Sequence, residues 1–202
     1  MSTVRGIKDF VVENAKSARA FLGALEMPVR ELNIRLIGEE RDPLAPLRHQ
    51  RPLGLLSDAG CPAIADPGAR VVEAAHREGF RVVPLVGPCA IVLALMGSGL
   101  EGQRFAFCGY LPREAADRAR RIRALEQRSR REKETQIFIE TPYRNDVLLA
   151  ALLDGCGPTT RLCVAAGLTL QEESITTRPI AEWRRAKALV GRRPAVFLLL
   201  AD

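Results

Sequence analysis

The pattern of apolar and polar residues predicts strands and helices that alternate along the whole chain of 202 residues. Apolar runs of about four to eight residues that end in Gly, Pro or Asp indicate strands, and apolar residues three and four positions apart indicate helices. The predicted strands span residues 31–37, 52–56, 80–85, 104–110, 135–140, 161–166, 172–177 and 195–200. The predicted helices span residues 10–25, 67–79, 90–96, 113–133, 146–153 and 180–190. This alternation is typical of an α/β protein, and in the first half of the chain it indicates a parallel sheet.

The spacing of these elements predicts two lobes. A break near residues 99–103 separates two series of strands and helices. The chain is also longer than the usual single domain of roughly 100 to 150 residues. We therefore expect an N-terminal α/β lobe at residues 1–100 and a C-terminal α/β lobe at residues 101–202.

Composition indicates a globular protein. Hydrophobic residues make up 47% of the chain and charged residues 27%, which argues against disorder. The best apolar runs, at residues 90–96 and 195–201, are far shorter than the roughly 20 residues that span a bilayer. The N-terminus has no basic region followed by an apolar run, as a secretory signal would. We expect a soluble, cytoplasmic protein that does not contact a membrane.

The cysteines do not form a metal-binding pattern. They are five in number and scattered, with no C-x-x-C pair, and only His49 and His76 could assist them. A metal site is therefore not expected. Since reduced cysteines behave as small apolar residues, we expect at least four of the five to be core residues.

The formal net charge of +6 is concentrated in two segments of the second half. Residues 113–134 carry nine basic and five acidic residues, and residues 178–202 carry six and two. Such a concentrated basic excess suggests a polyanionic partner such as a nucleic acid. The alternative is a solvated helix whose arginines are interspersed with acids, and charge alone does not decide between the two.

Two loops follow predicted strands at positions where α/β proteins bind ligands. The first, residues 57–68, carries Asp58 and Asp66 among glycines and prolines. A carboxylate there can accept hydrogen bonds from a ribose diol, and a glycine beside it lets a ligand approach the backbone. The second, residues 87–90, leads into a helix N-terminus, which attracts anions. Both loops suit a nucleoside-bearing cofactor; the alternative is that they are ordinary strand-to-helix turns.

These loops also carry a family resemblance. The first reads S-D-A-G-C-P-A-I-A-D-P-G and resembles the S-D-A-G-T-P-x-I-x-D-P-G segment of the small-subunit ribosomal RNA 2′-O-ribose methyltransferases, which belong to the tetrapyrrole methylase superfamily. Four further blocks follow in the family order: G-P-C-A at 87–90, F-C-G-Y-L-P at 107–112, E-T-P-Y-R at 140–144 and L-T at 168–169. Five blocks in register are not expected by chance.

The resemblance implies a two-lobed, class III methyltransferase fold that forms a homodimer. It also implies S-adenosylmethionine as the cofactor, bound in the cleft between the lobes. By position, it implies the cofactor-binding residues Asp58, Ala59, Gly60, Ile64, Cys89, Ala90, Ala165, Ala166, Pro194 and Ala195.

The chain also departs from the family pattern. Family members begin with a strand and a Gly/Pro-rich loop, and this sequence begins at what resembles the following helix, so we expect the first strand to be missing. Residues 12–16 read V-E-N-A-K where the relatives have roughly A-E-D-T-R, and residues 165–170 read A-A-G-L-T-L where they have A-R-E-L-T-K. We also expect the relatives' extra C-terminal domain to be absent. These differences bear on RNA binding and catalysis, and they leave the expected fold unchanged.

Methyl transfer from a sulfonium is an in-line displacement that depends mainly on positioning. A ribose hydroxyl must also lose its proton. The candidate bases are Glu140 and Glu13, with Tyr143 and Arg144 as positioning groups. The alternative is that Glu140 caps a turn and that Arg144 pairs with it at the surface.

Three functions stay open. The first is 2′-O-ribose methylation of small-subunit ribosomal RNA, with phosphate-facing surfaces from Arg113 to Lys133 and from Arg184 to Arg193. The second is methylation of a tetrapyrrole, a precorrin or another small molecule, which the missing RNA-type residues and the Pro194-Ala195 pair favour. The third is a truncated, non-catalytic lobe pair that binds the cofactor weakly or only dimerises.

Overall fold

The computed structural model describes residues 2–58 and 60–202. The chain consists of two compact units, Met1–Cys89 and Ala90–Asp202. We call them the first unit and the second unit, and each is described by itself.

The first unit is built on a parallel three-stranded sheet with β1 in the centre. Its strands are β1 (Asp9–Val12), β2 (Asn33–Leu36) and β3 (Leu53–Leu56), in the order β2-β1-β3. Its helices are α1 (Ser2–Arg5), α2 (Ala15–Ala24), α3 (Ala45–Arg48) and α4 (Gly68–Arg77), with a 3₁₀ turn at Val29–Glu31. Both pairs of neighbouring strands are parallel, which confirms the parallel sheet predicted for the first half of the chain.

The helix predicted at residues 10–25 is wrong over its first part, because these residues form the central strand β1. Phe10 and Val12 pack in one apolar cluster with α2, whereas Val11 packs in another with α4. A strand buried on both faces has a continuous apolar sequence, which periodicity alone does not distinguish from a helical turn. The helix begins only after Asn14, whose side chain caps α2.

The strand predicted at residues 80–85 does not form. In the part of the chain that the structure describes, residues 80–89 pair with no strand. Val83, Leu85 and Val86 in this segment are all exposed. An apolar run becomes a strand only where a neighbouring strand offers backbone groups to pair with, and the edge strand β3 does not pair with this segment.

The second unit is built on a mixed five-stranded sheet in the order β4-β5-β8-β6-β7. Its strands are β4 (Phe105–Tyr110), β5 (Thr135–Glu140), β6 (Arg161–Ala166), β7 (Ser174–Pro179) and β8 (Ala195–Leu200). Its helices are α5 (Ala90–Ser98), α6 (Ala115–Glu132), α7 (Asn145–Gly155) and α8 (Ile180–Ala186), with a 3₁₀ turn at Pro142–Arg144. Strands β4 and β5 run parallel, whereas β8 is antiparallel to both of its neighbours and β7 is antiparallel to β6.

Apolar layers cover both faces of this second sheet. On one face, α6, α7 and α8 pack over Phe138 and Phe197, whose ring centroids lie 6.1 Å apart. On the other face, α5 packs over Ile137 and Leu198. Since neighbouring residues of a strand point to opposite faces, β5 and β8 contribute to both layers.

The predicted α/β class is confirmed. The strands predicted at residues 135–140, 161–166 and 195–200 match β5, β6 and β8 residue for residue. Helix α5 packs on β6, β7 and β8 and so begins the second unit. The division into lobes at residues 1–100 and 101–202 stays a prediction.

Candidate functional site

The ends of β5 and β6 and the start of β8 meet at one edge of the second sheet, which we call the carboxyl edge. Ala195, the first residue of β8, is in register with Glu140 on one side and with Ala166 on the other. The carbonyl of Pro194 accepts a hydrogen bond from the Gly167 amide at 2.9 Å. The structure thus brings together Glu140 and four predicted cofactor residues, which are Ala165, Ala166, Pro194 and Ala195.

The strand residues among these four are small and buried. Ala165, Ala166 and Ala195 are each less than 10% exposed, and Gly167 follows with a left-handed φ of +63°. Small side chains leave the backbone within reach of a flat ligand, as nucleoside sites require. Their role in cofactor binding stays a prediction.

Glu140 ends β5 with a carboxylate that is only 2% exposed. Its Oε1 accepts a hydrogen bond from the Thr141 amide at 2.8 Å, and its Oε2 lies 3.3 Å from Arg144 Nη2. Glu140 therefore bonds to the residue that precedes the turn and pairs with Arg144, and its carboxylate is buried rather than at the surface. A base must reach the proton that it removes, so this geometry favours a positioning role, and the role of general base stays a prediction.

Tyr143 lies next to this pair and is 77% exposed. It belongs to the 3₁₀ turn that follows β5. The guanidinium carbon of Arg192 lies 5.1 Å from the centre of its ring, which is within the range of a cation–π contact. The three predicted catalytic residues are thus adjacent, and Arg192 joins them from a distant part of the sequence.

The start of α7 fixes the loop 190–193 that carries Arg192. Asp146 accepts hydrogen bonds from two backbone amides of this loop at 2.7 and 3.1 Å. Asn145 donates to two of its carbonyls at 3.0 and 2.7 Å. These four bonds hold Arg192 beside Tyr143.

In the first unit, Asp58 follows β3 and is exposed. Its carboxylate accepts a hydrogen bond from the Ser17 hydroxyl, and its amide donates to the Glu13 carboxylate at 3.0 Å. Glu13, the second candidate base, therefore helps to hold this loop. Ala59, which is predicted to bind the cofactor, lies outside the described residues.

Gly60 and Pro88 bring the two predicted cofactor loops of the first unit into contact. Gly60 has a φ of +116°, and a Cβ placed on it would lie 2.5 Å from the Pro88 carbonyl oxygen, so a side chain would be strained as well as obstructed. The thiol of Cys61 lies 3.6 Å from the same oxygen. Burial and the adjacent Cys89 raise the pKa of this thiol, so it stays protonated at neutral pH. Cys89 is half-buried and directly precedes Ala90, the first residue of α5.

The remaining residues of the loop 57–68 have different roles. Asp66 accepts hydrogen bonds from the amides of Ala63 and Gly68 at 3.0 and 2.7 Å, which closes the loop ahead of α4. Ile64 is 44% exposed and offers an apolar surface. Asp66 is therefore structural, whereas Asp58 and Ile64 are accessible.

The predicted basic helix at residues 113–133 forms as α6, although its arginines do not all face solvent. Arg118 is buried and donates to the carbonyl of Arg113 at 2.7 Å. Four other arginines pair with acids, namely Arg120 with Asp117, Arg128 with Glu134, Arg130 with Glu126 and Arg131 with Glu132. Arg121 and Arg123 are exposed and have no carboxylate partner among the described residues.

Two arginines of the second basic segment, residues 184–193, also serve the fold. Arg184 donates to backbone carbonyls at the end of α7. Arg193 donates to a backbone carbonyl and to the Ser174 hydroxyl, both at 3.1 Å. Backbone carbonyls thus hold the guanidinium groups of Arg118, Arg184 and Arg193, and the expectation that both segments face phosphates stays a prediction.

The part of the chain that the structure describes contains no group of three or more His, Cys, Asp or Glu residues that could hold a metal ion. None of its helices is long and apolar enough to cross a membrane. The five cysteines are free, and burial raises the pKa of Cys156 to about 12, as befits a core thiol.

No protein-family model matches the chain. Its sequence is similar to curated proteins named ribosomal RNA small subunit methyltransferase I. The protein of that name from Pseudomonas aeruginosa is 42% identical over 130 residues, which cover 64% of this chain and 45% of that protein. The one from Escherichia coli O157:H7 is 37% identical over 162 residues, which cover 79% of this chain and 54% of that protein. The chain thus spans about half the length of the curated relatives it matches.

Solved structures align with nearly the whole chain. The methyltransferase CobJ aligns with a TM-score of 0.64 at 16% identity and covers 100% of this chain and 86% of its own. The uroporphyrin-III-C-methyltransferase from Thermus thermophilus aligns with a TM-score of 0.56 at 19% identity and covers 98% and 84%. The chain has the tetrapyrrole methylase fold. The resemblance predicted from the five sequence blocks, both to this fold and to the small-subunit ribosomal RNA enzymes, is confirmed.

Three residues position the site in this tetrapyrrole methylase fold although the sequence pattern does not indicate them. Ser17 bonds to Asp58, and Asn145 and Asp146 hold the loop of Arg192. Asn and Asp are common where helices begin, which is a weak signal for the last two. Ser17 is 41 residues away from its partner, and nothing in the sequence relates the two positions.

Replacing Asp146 with alanine should loosen the loop 190–193, because the change removes the acceptor of two backbone amides. We expect the free energy of unfolding to fall by about 1–3 kcal/mol. Amide hydrogen exchange at Val190 and Gly191 should accelerate. Denaturant titration and exchange mass spectrometry measure the two effects. Asp154→Ala, which alters an exposed residue of the same helix, is the control, and unchanged exchange in Asp146→Ala would contradict the interpretation.

Proposed function

We propose that the chain is an S-adenosylmethionine-dependent methyltransferase that acts on a ribose 2′-hydroxyl of small-subunit ribosomal RNA. The observation that carries this proposal is its similarity to the ribosomal RNA enzymes, 42% and 37% identity for the two described above. Three methyltransferases of known structure that align with the chain are 14–19% identical to it. A ribosomal substrate implies that the protein works in the cytoplasm.

The residues of the first unit suit S-adenosylmethionine on chemical grounds. Asp58 is exposed and binds Ser17 through one carboxylate oxygen, which leaves the other for a ribose hydroxyl. The Ser57 hydroxyl is buried and has no hydrogen-bond partner among the described residues, so a ligand group can satisfy it. When bound, the cofactor supplies a methyl group on a positively charged sulfur.

The residues of the second unit suit the adenosine and the substrate. Ala165, Ala166 and Ala195 are buried and carry no bulky side chain that would block a flat base at the carboxyl edge. Glu140 orients Arg144 through their ion pair, and Arg144 in turn orients the RNA. Positioning of this kind supplies most of the catalysis in an in-line displacement.

The RNA-binding surface that we propose is narrower than the sequence suggested. On α6 it comprises Arg121 and Arg123, which are exposed and free of carboxylate partners among the described residues. In the second basic segment it comprises Arg185 and Arg192. Exposed cations without acidic partners are the groups that displace counterions from RNA.

Methyl transfer from labelled S-adenosylmethionine tests the substrate. We expect incorporation into small ribosomal subunits and none into precorrin-type substrates. RNA binding should weaken with salt at a log-log slope of about −0.7 per phosphate contact, and Arg121→Ala with Arg123→Ala should reduce the slope by about 1.4. Arg77→Ala, on the first unit, is the control. Binding that does not depend on salt, or transfer to precorrins alone, would contradict the proposal.

Methylation of a tetrapyrrole is a second candidate function. The observation that favours it is that residues 165–170 read A-A-G-L-T-L and lack the basic groups of the A-R-E-L-T-K segment in the ribosomal RNA enzymes. The assay above separates the two candidates, because transfer to a precorrin needs neither RNA nor a ribosomal subunit.

Replacing Asp58 with alanine should weaken cofactor binding roughly 10- to 100-fold, because a charged acceptor contributes about 1.5–3 kcal/mol per hydrogen bond. Isothermal titration calorimetry with S-adenosylmethionine measures the change. Glu73→Ala, at an exposed residue of α4, should bind like the wild type. If the wild type shows no heat at millimolar cofactor, the chain is the non-catalytic lobe pair instead.

We further propose that a second copy of the chain binds at α5. This helix exposes Met96 and Val92, which are 75% and 45% exposed. They line an apolar groove of about 410 Å³ with Leu100 and Phe105. Contiguous exposed apolar surface is typical of protein interfaces, and the family resemblance implies a homodimer.

Replacing Met96 with glutamate should convert dimers into monomers, because a carboxylate would be buried without a partner in the interface. Analytical ultracentrifugation measures the state. Leu189→Glu changes a residue of similar exposure elsewhere in the second unit and should leave the dimer intact. A wild-type chain that sediments as a monomer would contradict the proposal.

A further inference from the structure

Both tyrosines of the chain lie at the carboxyl edge of the second sheet. Tyr110 is the last residue of β4, and Tyr143 follows the end of β5, its parallel neighbour. They are 59% and 77% exposed. Parallel strands end at the same edge of a sheet, so the two exposed tyrosines lie at one edge of the unit.

The position of Tyr110 is set by a bulge. Gly109 has a left-handed φ of +66°, and the pairing of β4 with β5 is interrupted between Phe107 and Tyr110. A glycine in this conformation is typical of bulges, which redirect the next side chain. Buried Arg118 then holds the carbonyl of Arg113, so the chain after Tyr110 is fixed as well.

The position of Tyr143 is set by its neighbours. The ring lies beside the Arg192 guanidinium, and the four hydrogen bonds from Asn145 and Asp146 fix the loop of Arg192. Arg144 is held by the buried Glu140. An aromatic ring held beside one arginine in this way loses little freedom when a ligand binds to it.

The charge around Tyr143 is positive. Arg192 contacts the tyrosine ring, and Arg193 contacts a carbonyl and a hydroxyl, so neither charge is neutralised by these contacts. The acids of the edge are Glu140, which pairs with Arg144, Asp146, which accepts two backbone amides, and Glu172 and Glu173 in the connection between β6 and β7. The Glu172 carbonyl accepts the hydrogen bond from Arg193, so this connection reaches the loop of Arg192.

We propose that the carboxyl edge binds single-stranded RNA by stacking one base on Tyr143, with the exposed Arg192 binding the adjacent phosphate. Unpaired bases are recognised in this way, on aromatic rings and on guanidinium planes. Tyr110 provides a second ring for the neighbouring nucleotide. The proposal rests on the proposed function, since it names the residues that hold the RNA substrate.

Fluorescence anisotropy with two labelled probes tests the stacking. One probe is an oligouridylate of about twelve nucleotides, and the other is an abasic oligoribonucleotide of equal length. We expect Tyr143→Ala to weaken oligouridylate binding about 5- to 150-fold and to leave abasic binding unchanged. Tyr143→Phe should retain both affinities, because it keeps the ring. Arg192→Ala should weaken both probes and reduce the salt slope by about 0.7.

The matched control is Phe21→Ala, which removes a 47% exposed aromatic ring from the first unit and should change neither affinity. Circular dichroism confirms that each variant folds. Equal oligouridylate binding by Tyr143→Ala and the wild type would overturn the proposal, and so would equal binding of both probes by the wild type.

Two further measurements distinguish this proposal from the proposed function. Calorimetry with S-adenosylmethionine should give the same affinity for Tyr143→Ala and the wild type; a loss would show that the ring serves the cofactor, which overturns the stacking proposal. Methyl transfer to small ribosomal subunits tests the proposed function alone. A wild type that discriminates between the probes and transfers no methyl group would refute the reaction and leave the RNA site standing.

Discussion

The insertion of β8 between β5 and β6 determines where the groups of the carboxyl edge lie. Because β8 is antiparallel to both neighbours, the loop before it reaches the edge at which β5 and β6 end. All six residues of β8 are buried; Ala195, Phe197 and Leu199 pack in one apolar layer, and Val196 and Leu198 pack in the other. A slip of one residue would turn each of them to the opposite face, so the apolar core enforces the register. The contacts of Arg192 with Tyr143 and of Pro194 with Gly167 are consequences of this pairing.

Burial of a carboxylate at this edge imposes a second constraint. A buried charge must be paired, since desolvation is otherwise too costly. Glu140 meets this requirement with Arg144, and on α6 the buried Glu126 accepts hydrogen bonds from Gly157 and Thr160. Arginines also bind to backbone carbonyls at the ends of helices, as Arg118 does before α6 and Arg184 does at the end of α7. The formal charge of the chain therefore overstates the number of cations that are free to meet a polyanion.

The sequence predicted the second unit better than the first for a physical reason. Strands β5, β6 and β8 are continuous apolar runs with clear ends, and their bounds were correct. Strand β1 has the same kind of sequence, but it leads into α2 without a break until Asn14, so its residues were assigned to the helix. The segment 80–85 is predicted as a strand and forms none, because a strand depends on a partner that lies elsewhere in the chain. In the site, the loop after β3 lies at a strand end as predicted, whereas no strand of the described residues directly precedes the loop 87–90, and the sequence does not indicate supports from distant residues such as Ser17.

The first unit illustrates why the loops could be found at all. In the sequence, the rest of the loop 57–68, helix α4 and the segment 80–86 separate Gly60 from Pro88. In the structure, the backbone of Gly60 lies against the Pro88 carbonyl. A φ of +116° and an approach of 2.5 Å to a carbonyl oxygen together demand glycine at position 60. The contact with Pro88 thus restricts position 60 to glycine, which can be recognised in the sequence. A hydrogen bond between distant side chains imposes no such restriction. A side chain at position 60 would displace Pro88. The loop that carries Asp58 and the residue Cys89 therefore depend on each other for their positions.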